Sequence, residues 1–471
     1  MEKANKSNKN SEIISVNDFV QGTPLPYSVL NNQYSNAAYP GKKLEIRNGG
    51  FGSDAVAHPT NANQFYVLTD RGPNADFEGS AGAGKLFLLP DYTPRIGLFE
   101  LQADGQIIKI TEILLKDTKG NPISGLPNPK ALGGTNEIPY DVRGRLMVVN
   151  PELPFNELSN PIRTDINGLD PEGLAALTDG SFWISDEYGP NLVHYSAEGV
   201  ELARINPFAN DKRNNVLIDG TPLLLPPELS HRRANRGMES LTITPDQSTL
   251  VGVMESALDN PDRVGGDSDL TRILTINLVT GQIAQYLYRL NTAKHVNSGI
   301  VALSSTEFYV IEHDRKMPLQ TAKAQKYIYK IDLSLATDIE SLTSAVTSNK
   351  YSVSQDQNLG LMINNQSLEH FLAFDDNNWQ VLADMDINPV SKTMVVDVIA
   401  AVDYPHDKLE GLWLRQDGSL GLLNDDDFSI TDTDTSTATL ENLASIIEQK
   451  YLDKQKTIED INRLYLVMPS Q

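Results

Sequence analysis

The sequence contains no cysteine, which excludes disulfides, thiolate metal sites and a cysteine nucleophile in one step and leaves the compartment open. It also lacks any apolar run approaching the roughly 18 residues of a membrane-spanning helix. Residues 1–12 (MEKANKSNKNSE) are polar and carry no apolar stretch, so no signal peptide is read there. The chain is therefore expected to be cytoplasmic or to have lost a leader. Positive charge is scarce: 39 basic residues face 62 acidic ones, for a net charge of −23. Such a field repels phosphate backbones and anionic membranes, which argues against nucleic acid and lipid surfaces as partners. An acidic surface suits a divalent-cation protein, although solubility alone also accounts for it. Catalytic signatures are missing too. The chain has no GxSxG elbow, HExxH helix, phosphate-binding Walker loop or dinucleotide glycine fingerprint.

What the chain does have is 471 residues of ordinary globular composition, 40% of them hydrophobic, and an internal repeat. Five segments share one pattern: SDAVAHPTNANQFYVLTDRG from Ser53, PEGLAALTDGSFWISDEYG from Pro171, MESLTITPDQSTLVGVMES from Met238, NSGIVALSSTEFYVIEHDR from Asn297 and LEGLWLRQDGSLGLLNDDD from Leu409. Each runs from a small or acidic residue through a short apolar strand, a turn and a second strand to an acidic cluster. The turns TPDQS, LTDGS and RQDGS carry the residues that reverse a hairpin. The leading positions are Asp54, Glu172, Glu239, Ser298 and Glu410, and 14 to 16 residues later come Asp70, Asp186, Glu255, Glu312 and Asn424. A hairpin returns its second strand to the end where the first began, so both positions of each pair share one edge of the sheet.

Further strands follow most repeats, and the expected fold is all-β: a single β-propeller of about six blades, with five to seven possible. A polar segment, 1–40, precedes the propeller domain, 41–471, which carries insertions near 117–167 and 430–463. Residues 364–402 are read as a degenerate blade and Thr439–Arg463 as a helical insertion. KKLEIRN is read as a strand that pairs with the final LYLVMP and closes the ring.

The repeat predicts a rim of carboxylates. Asp70, Glu172, Asp186, Glu187, Glu239, Glu255, Glu312 and Glu410 are the candidate metal ligands, with Asp314 and Asp425 to Asp427 close by. Gathered acids repel and raise one another's pKa values unless a cation neutralises them, and calcium, taking six to eight oxygens, is the natural cofactor. Taken singly, each acid reads as a turn residue; recurrence in register favours a site. Arg71 and Arg315 stand beside these acids and suit bidentate capture of a phosphate or carboxylate. Pairing with neighbouring acids accounts for them equally well. His313 is the histidine in the repeat's terminal cluster. Glu172, Glu239, Arg71, His313 and Arg315 are the candidate catalytic residues.

The phrases TDRGPNAD, LDPEGLAALTDGSFWISDEYGP, NRGMESLTITPD, SGIVAL with FYVIEHDR, and KLEGLW occur in that order between about Gly49 and Phe428. Together they resemble the phytase-like esterase family. The resemblance implies a β-propeller of a kind commonly exported by bacteria, hence a periplasmic or secreted protein, acting on phosphate or other esters. It points to Asp70, Arg71, Glu172, Asp186, Glu187, Glu239, Glu255, Glu312 and Glu410. Ser298 departs from the acidic pattern. The expected function is a calcium-dependent hydrolase of a small-molecule ester or phosphate ester, working as a monomer. A lactonase-like hydrolase and a non-catalytic binding propeller with structural calcium are the alternatives.

Overall fold

The computed structural model describes residues 21–31, 44–132, 137–342, 351–432 and 447–470. They form an all-β structure with three short helices, Leu368–Ala373, Asn378–Ala383 and Val398–Val402. None of its helices is long and apolar enough to cross a membrane.

Five four-stranded antiparallel sheets carry the architecture. The first comprises Asp54–Ala57, Gln64–Leu68, Arg95–Leu101 and Ile107–Leu114; the second Pro171–Ala176, Phe182–Asp186, Leu192–Tyr195 and Glu201–Ile205. The third comprises Met238–Ile243, Thr249–Met254, Leu270–Asn277 and Ile283–Arg289; the fourth Val296–Ala302, Glu307–His313, Lys326–Asp332 and Ser391–Asp397. In the fifth, Gly411–Leu414 pairs with Leu420–Leu423, then Arg463–Val467, and Thr23–Pro24 forms the outer edge. The leading strands of the five sheets touch one another in cyclic order, and the fifth meets the first.

Strand periodicity explains the ring. Successive side chains point to opposite faces of a strand. Phe182 and Ile184 pack toward the first sheet with Leu68 and Ile96, whereas Trp183 between them packs toward the third with Met238 and Leu250. Every sheet thus buries both faces. Val253, Tyr288, Phe308 and Val310 fill the gap between the third and fourth sheets. Ile311, Ile328, Leu412 and Leu422 fill that between the fourth and fifth, and Phe65, Val67, Trp413 and Leu464 that between the fifth and first. Full burial of each such side chain is worth about 1.5–3 kcal/mol.

Three sequence expectations resolve differently here. Residues 364–402 supply three short helices and the outer strand of the fourth sheet and not a degenerate blade of their own; five four-stranded sheets stand among the described residues. The partner of the last strand is Thr23–Pro24, which lies inside the segment read as a polar lead-in; Ile46–Asn48 of KKLEIRN pairs instead with Ser28–Asn31. Of the expected helix over 439–463, residues 439–446 lie outside the described residues, and Ile447–Gln449 is a strand paired with Ile430–Asp432. A smaller three-stranded sheet (Asn74–Gly79, Gly82–Phe87 and Ile138–Tyr140) joins that hairpin in a separate apolar cluster of Phe77, Leu86, Tyr140, Phe428, Ile430 and Ile447. Asn74, Ala75, Asp76, Lys85, Ile430 and Thr431 of these pieces line the cavity described below.

Candidate functional site

The site is built at the inner ends of the leading strands. In the second sheet Pro171 pairs with Asp186 and Gly173 with Ser185, so Glu172 is left out of the ladder. Glu239 is skipped in the same way between Met238 and Ser240, and Ser298 between Asn297 and Gly299. In the fifth sheet Leu423 faces both Gly411 and Glu410, whose N–H donates to its carbonyl at 3.1 Å. These are β-bulges, which turn a side chain out of the pleat and recur beside functional sites. A small residue follows every leading position: Ala55, Gly173, Ser240, Gly299 and Gly411. The reason is steric. A Cβ at Gly173 would stand 2.5 Å from the Leu241 nitrogen, and one at Gly299 would stand 2.5 Å from the Glu410 carbonyl oxygen.

The leading positions then diverge. Asp54 is spent on structure: its carboxylate accepts the N–H of Leu174, in the next sheet, and of Ala55, both at 2.7 Å. Ser298 does the equivalent between the fourth and fifth sheets, donating to the Leu409 carbonyl at 2.5 Å. Glu172, Glu239 and Glu410 instead line an axial cavity of about 210 Å³ together with Asp70, Arg71, Lys85, Glu187, Asn235, Arg315, Lys408 and Asp427. Glu172 and Glu239, 8% and 4% exposed, accept no hydrogen bond and form no ion pair among the described residues. One oxygen of Glu410 is likewise buried without a partner.

Two groups of carboxylates come close enough to share a cation. Asp70, Asp170 and Glu172 each offer an oxygen within 4.8 Å of the others, and so do Glu187, Glu239 and Glu255. Arg71 is the clasp between them. Its guanidinium meets Glu137 at 2.6 Å, Glu187 at 3.5 Å, Asp170 and Asn235, and it lies over the Tyr188 ring. Arg315 pairs with Glu255, which also accepts from Arg236 at 3.2 Å. Lys408 is 2.7 Å from both Asp425 and Asp427, and Lys450 holds Asp427 from behind at 2.6 Å.

Electrostatics separate these acids into two sets. Burial, then the charges of Asp170 and Glu239, pushes the Glu172 carboxyl well up; burial and Glu187 do the same for Glu239. Glu410 is also raised by burial, against the pull of Lys408. Asp70 is pushed up to about 7 by burial and by Asp425. Glu187 is buried as well, but Arg71, Arg315 and Arg232 outweigh the loss of water and hold it below the usual range. The raised set is short of positive charge.

Not every predicted residue reaches the cavity. Asp186 is fully buried below the rim, where one oxygen accepts from Gly189, the Asn191 backbone and the Asn191 side chain. Glu312 lies inside its strand and is bound by His295, Lys392 and Asn291 at 2.8 Å and by Tyr288 at 2.9 Å. At the ends of the returning strands Asp70 lines the cavity and Glu255 joins the second carboxylate group, as expected, whereas in the second hairpin the residue that lines the cavity is Glu187, one after Asp186. His313 is buried; its Nδ1 accepts the Arg315 N–H at 3.1 Å, Nε2 has no partner among the described residues, and burial keeps the ring neutral. Asp426 anchors the Gly50 and Phe428 N–H groups.

Sequence reasoning missed Asp170, Lys408, Asn235 and Glu137. The first three carried a signal, since they adjoin Glu172, Glu410 and Arg236 inside the phrases LDPEG, KLEG and NRGME. Glu137 did not: it enters from an insertion.

Comparison with known proteins accords with this arrangement. A secreted protein of Arthroderma benhamiae, described as uncharacterized, is 38% identical over 104 residues. That stretch is 20% of each chain, so the chain spans about a fifth of the length of the curated relative it matches. The periplasmic gluconolactonase PpgL of Pseudomonas aeruginosa is 12% identical and covers 72% of this chain and 92% of its own, with a TM-score of 0.27. A glycoside hydrolase family 43 arabinoxylan arabinofuranohydrolase from Bacillus subtilis, solved with cellotetraose, is 8% identical, covers 94% and 71%, and has a TM-score of 0.35. Likenesses at those scores carry no argument about chemistry. The family described as "Phytase-like: Esterase-like activity of phytase" matches residues 46–428, and the chain belongs to it.

Proposed function

We propose that the five sheets are the blades of one closed propeller and that the axial cavity is the active site of an ester hydrolase dependent on a divalent cation. The observation that carries this reading is the pair Glu172 and Glu239: buried carboxylates, open to the cavity, with no protein partner among the described residues. A buried carboxylate without a counter-charge is costly, so such groups persist where a ligand supplies the missing positive charge. The donors are all hard oxygens, which fits calcium. Asp70, Asp170 and Glu172 would hold one cation, and Glu187, Glu239 and Glu255 another. A cation bound there supplies Lewis-acid polarisation of the ester.

The chain's own residues would do the rest. Arg315 and Lys408 line the cavity while paired with Glu255 and Asp425, so they would fix the positions of those carboxylates, and Arg71 keeps the two carboxylate groups apart and in place. Glu410, whose carboxyl is raised by burial, has one oxygen, Oε1, 3.8 Å from Lys408 and the other, Oε2, without a partner among the described residues, where it could hold a proton. The name of the fungal relative supports an exported protein.

The test is hydrolysis of a panel of phosphate monoesters, carboxylic esters and lactones, with calcium and with chelator. Turnover of an ester that chelator abolishes and calcium restores is the expected result. Calcium binding without turnover of any substrate would favour a ligand-binding propeller instead. Turnover indifferent to chelator would sink the cation.

A further inference from the structure

Four cations line the axial cavity, and they are not equally free. Arg71 is committed to Asp170 and Glu187, both buried; Arg315 to the fully buried Glu255; Lys408 to the buried Asp425. An incoming anion must pull each of these away from a carboxylate that has no water to replace it. Lys85 differs. It stands on Gly82–Phe87 of the three-stranded sheet, and among the described residues its Nζ forms an ion pair with Asp76 alone, directly across the strand pair, at 2.5 Å. Asp76 is 65% exposed. An ion pair with a solvated partner is weak and readily exchanged. Asn74, Ala75, Ile430 and Thr431 line the same cavity.

Resting on the hydrolase reading above, we propose that Lys85 sets substrate specificity. It takes an anionic group, carboxylate or phosphate, that the substrate carries apart from the bond being cleaved. The cavity's carboxylates receive the scissile ester, while the three-stranded sheet that carries Lys85 receives the substituent. The preferred substrates are therefore esters with a second acidic group.

The experiment compares wild type, Lys85→Met and Asp76→Asn, calcium-loaded, on phenyl phosphate, 4-carboxyphenyl phosphate and benzene-1,4-diyl bisphosphate. A carboxylic-ester arm uses 4-nitrophenyl butyrate against 4-nitrophenyl hemisuccinate. Lys85→Met is expected to raise KM for the acidic member of each set about tenfold, with kcat and the KM of the plain ester unchanged. Asp76→Asn is expected to lower KM for the acidic members. Whether carboxylate or phosphate is preferred is read from the two substituted phenyl phosphates. Equal effects on plain and acidic esters, or none, overturn the proposal while leaving the hydrolase reading intact. If nothing is turned over, the hydrolase reading fails. Calorimetric titration of 4-carboxyphenyl phosphate against phenyl phosphate still decides the role of Lys85, and equal affinities in wild type and Lys85→Met reject it.

Discussion

Glu172 and Glu239 occupy equivalent places in neighbouring sheets: each is the residue its strand leaves out of the ladder, and each ends in the axial cavity unpartnered among the described residues. Their carboxyls are raised by burial and by nearby acids, Glu239 among those acting on Glu172. Removing one charge while keeping the shape should relieve that strain. Glu172→Gln and Glu239→Gln are therefore expected to leave the metal-free protein at least as stable as wild type. Both should lose most of the calcium-induced gain, which for wild type is about 2.7 kcal/mol at a hundredfold excess over Kd. The exposed Glu198→Gln should stay within about 0.5 kcal/mol in both conditions. Chemical denaturation with calcium and with chelator makes the comparison, and indistinguishable behaviour at the three positions would show that the rim acids bind no cation.

The same carboxyls dictate how stability varies with pH. In an unfolded chain they titrate near ~4; in the folded protein Asp70 titrates at about 7, and Glu172, Glu239 and Glu410 are also raised. Between those limits the native state binds more protons than the unfolded one, so stability falls as pH rises through the window, by up to ~1.4 kcal/mol per pH unit for each group. In chelator the Tm is expected to be higher at pH 6 than at pH 8, and calcium should shrink the difference. A Tm that climbs from pH 6 to 8 in chelator would contradict the assignment.

How far the sequence reveals this site depends on the kind of information each residue carries. Glu172, Glu239 and Glu410 are legible because hairpin turns such as LTDGS and TPDQS set the repeat and a small residue follows each acid. Where a returning strand stops is not legible. One residue separates the buried Asp186 from the cavity-lining Glu187, and nothing local marks which of the two reaches the cavity. Ser298 and Asp54 show why the acid ring is incomplete: both positions bond to a neighbouring sheet's backbone. Glu137 depends on where an insertion lands, which no local pattern specifies. The degenerate blade read over 364–402 resolves into helices and the outer strand of the fourth sheet, Ser391–Asp397, because sequence does not say which sheet a strand joins.

Arg71 is named from the sequence as a catalytic candidate, yet its surroundings assign it a structural duty. It is 4% exposed and pairs with Glu137, Asp170 and Glu187, all three buried. Arg71→Met would strand buried carboxylates, and breaking such a network costs about 3–5 kcal/mol. The variant should melt well below wild type in chelator and recover part of the loss in saturating calcium, which replaces the missing charge. A normal Tm with reduced turnover would instead make Arg71 a substrate-binding group.

The closest approach of the strands at the axis offers the sharpest test of the architecture. A Cβ on Gly173 would lie 2.3 Å from the Ser185 hydroxyl oxygen and 2.5 Å from the backbone nitrogen of Leu241. The hydroxyl can rotate away, but the Leu241 nitrogen belongs to the leading strand of the third sheet and cannot move without it. Gly173→Ala must therefore push the second and third sheets apart where Glu172 and Glu239 project, at an overpacking cost of about 1–3 kcal/mol. Neither acid is altered, so any loss of calcium affinity reports the spacing of the carboxylates and not their charge. The expected outcome is a lower Tm together with weaker calcium binding, measured by titration calorimetry at a temperature where the variant is fully folded. Lower stability with unchanged affinity would mean that the cation does not depend on the spacing of the second and third sheets, and would count against the group of Glu187, Glu239 and Glu255, which joins them.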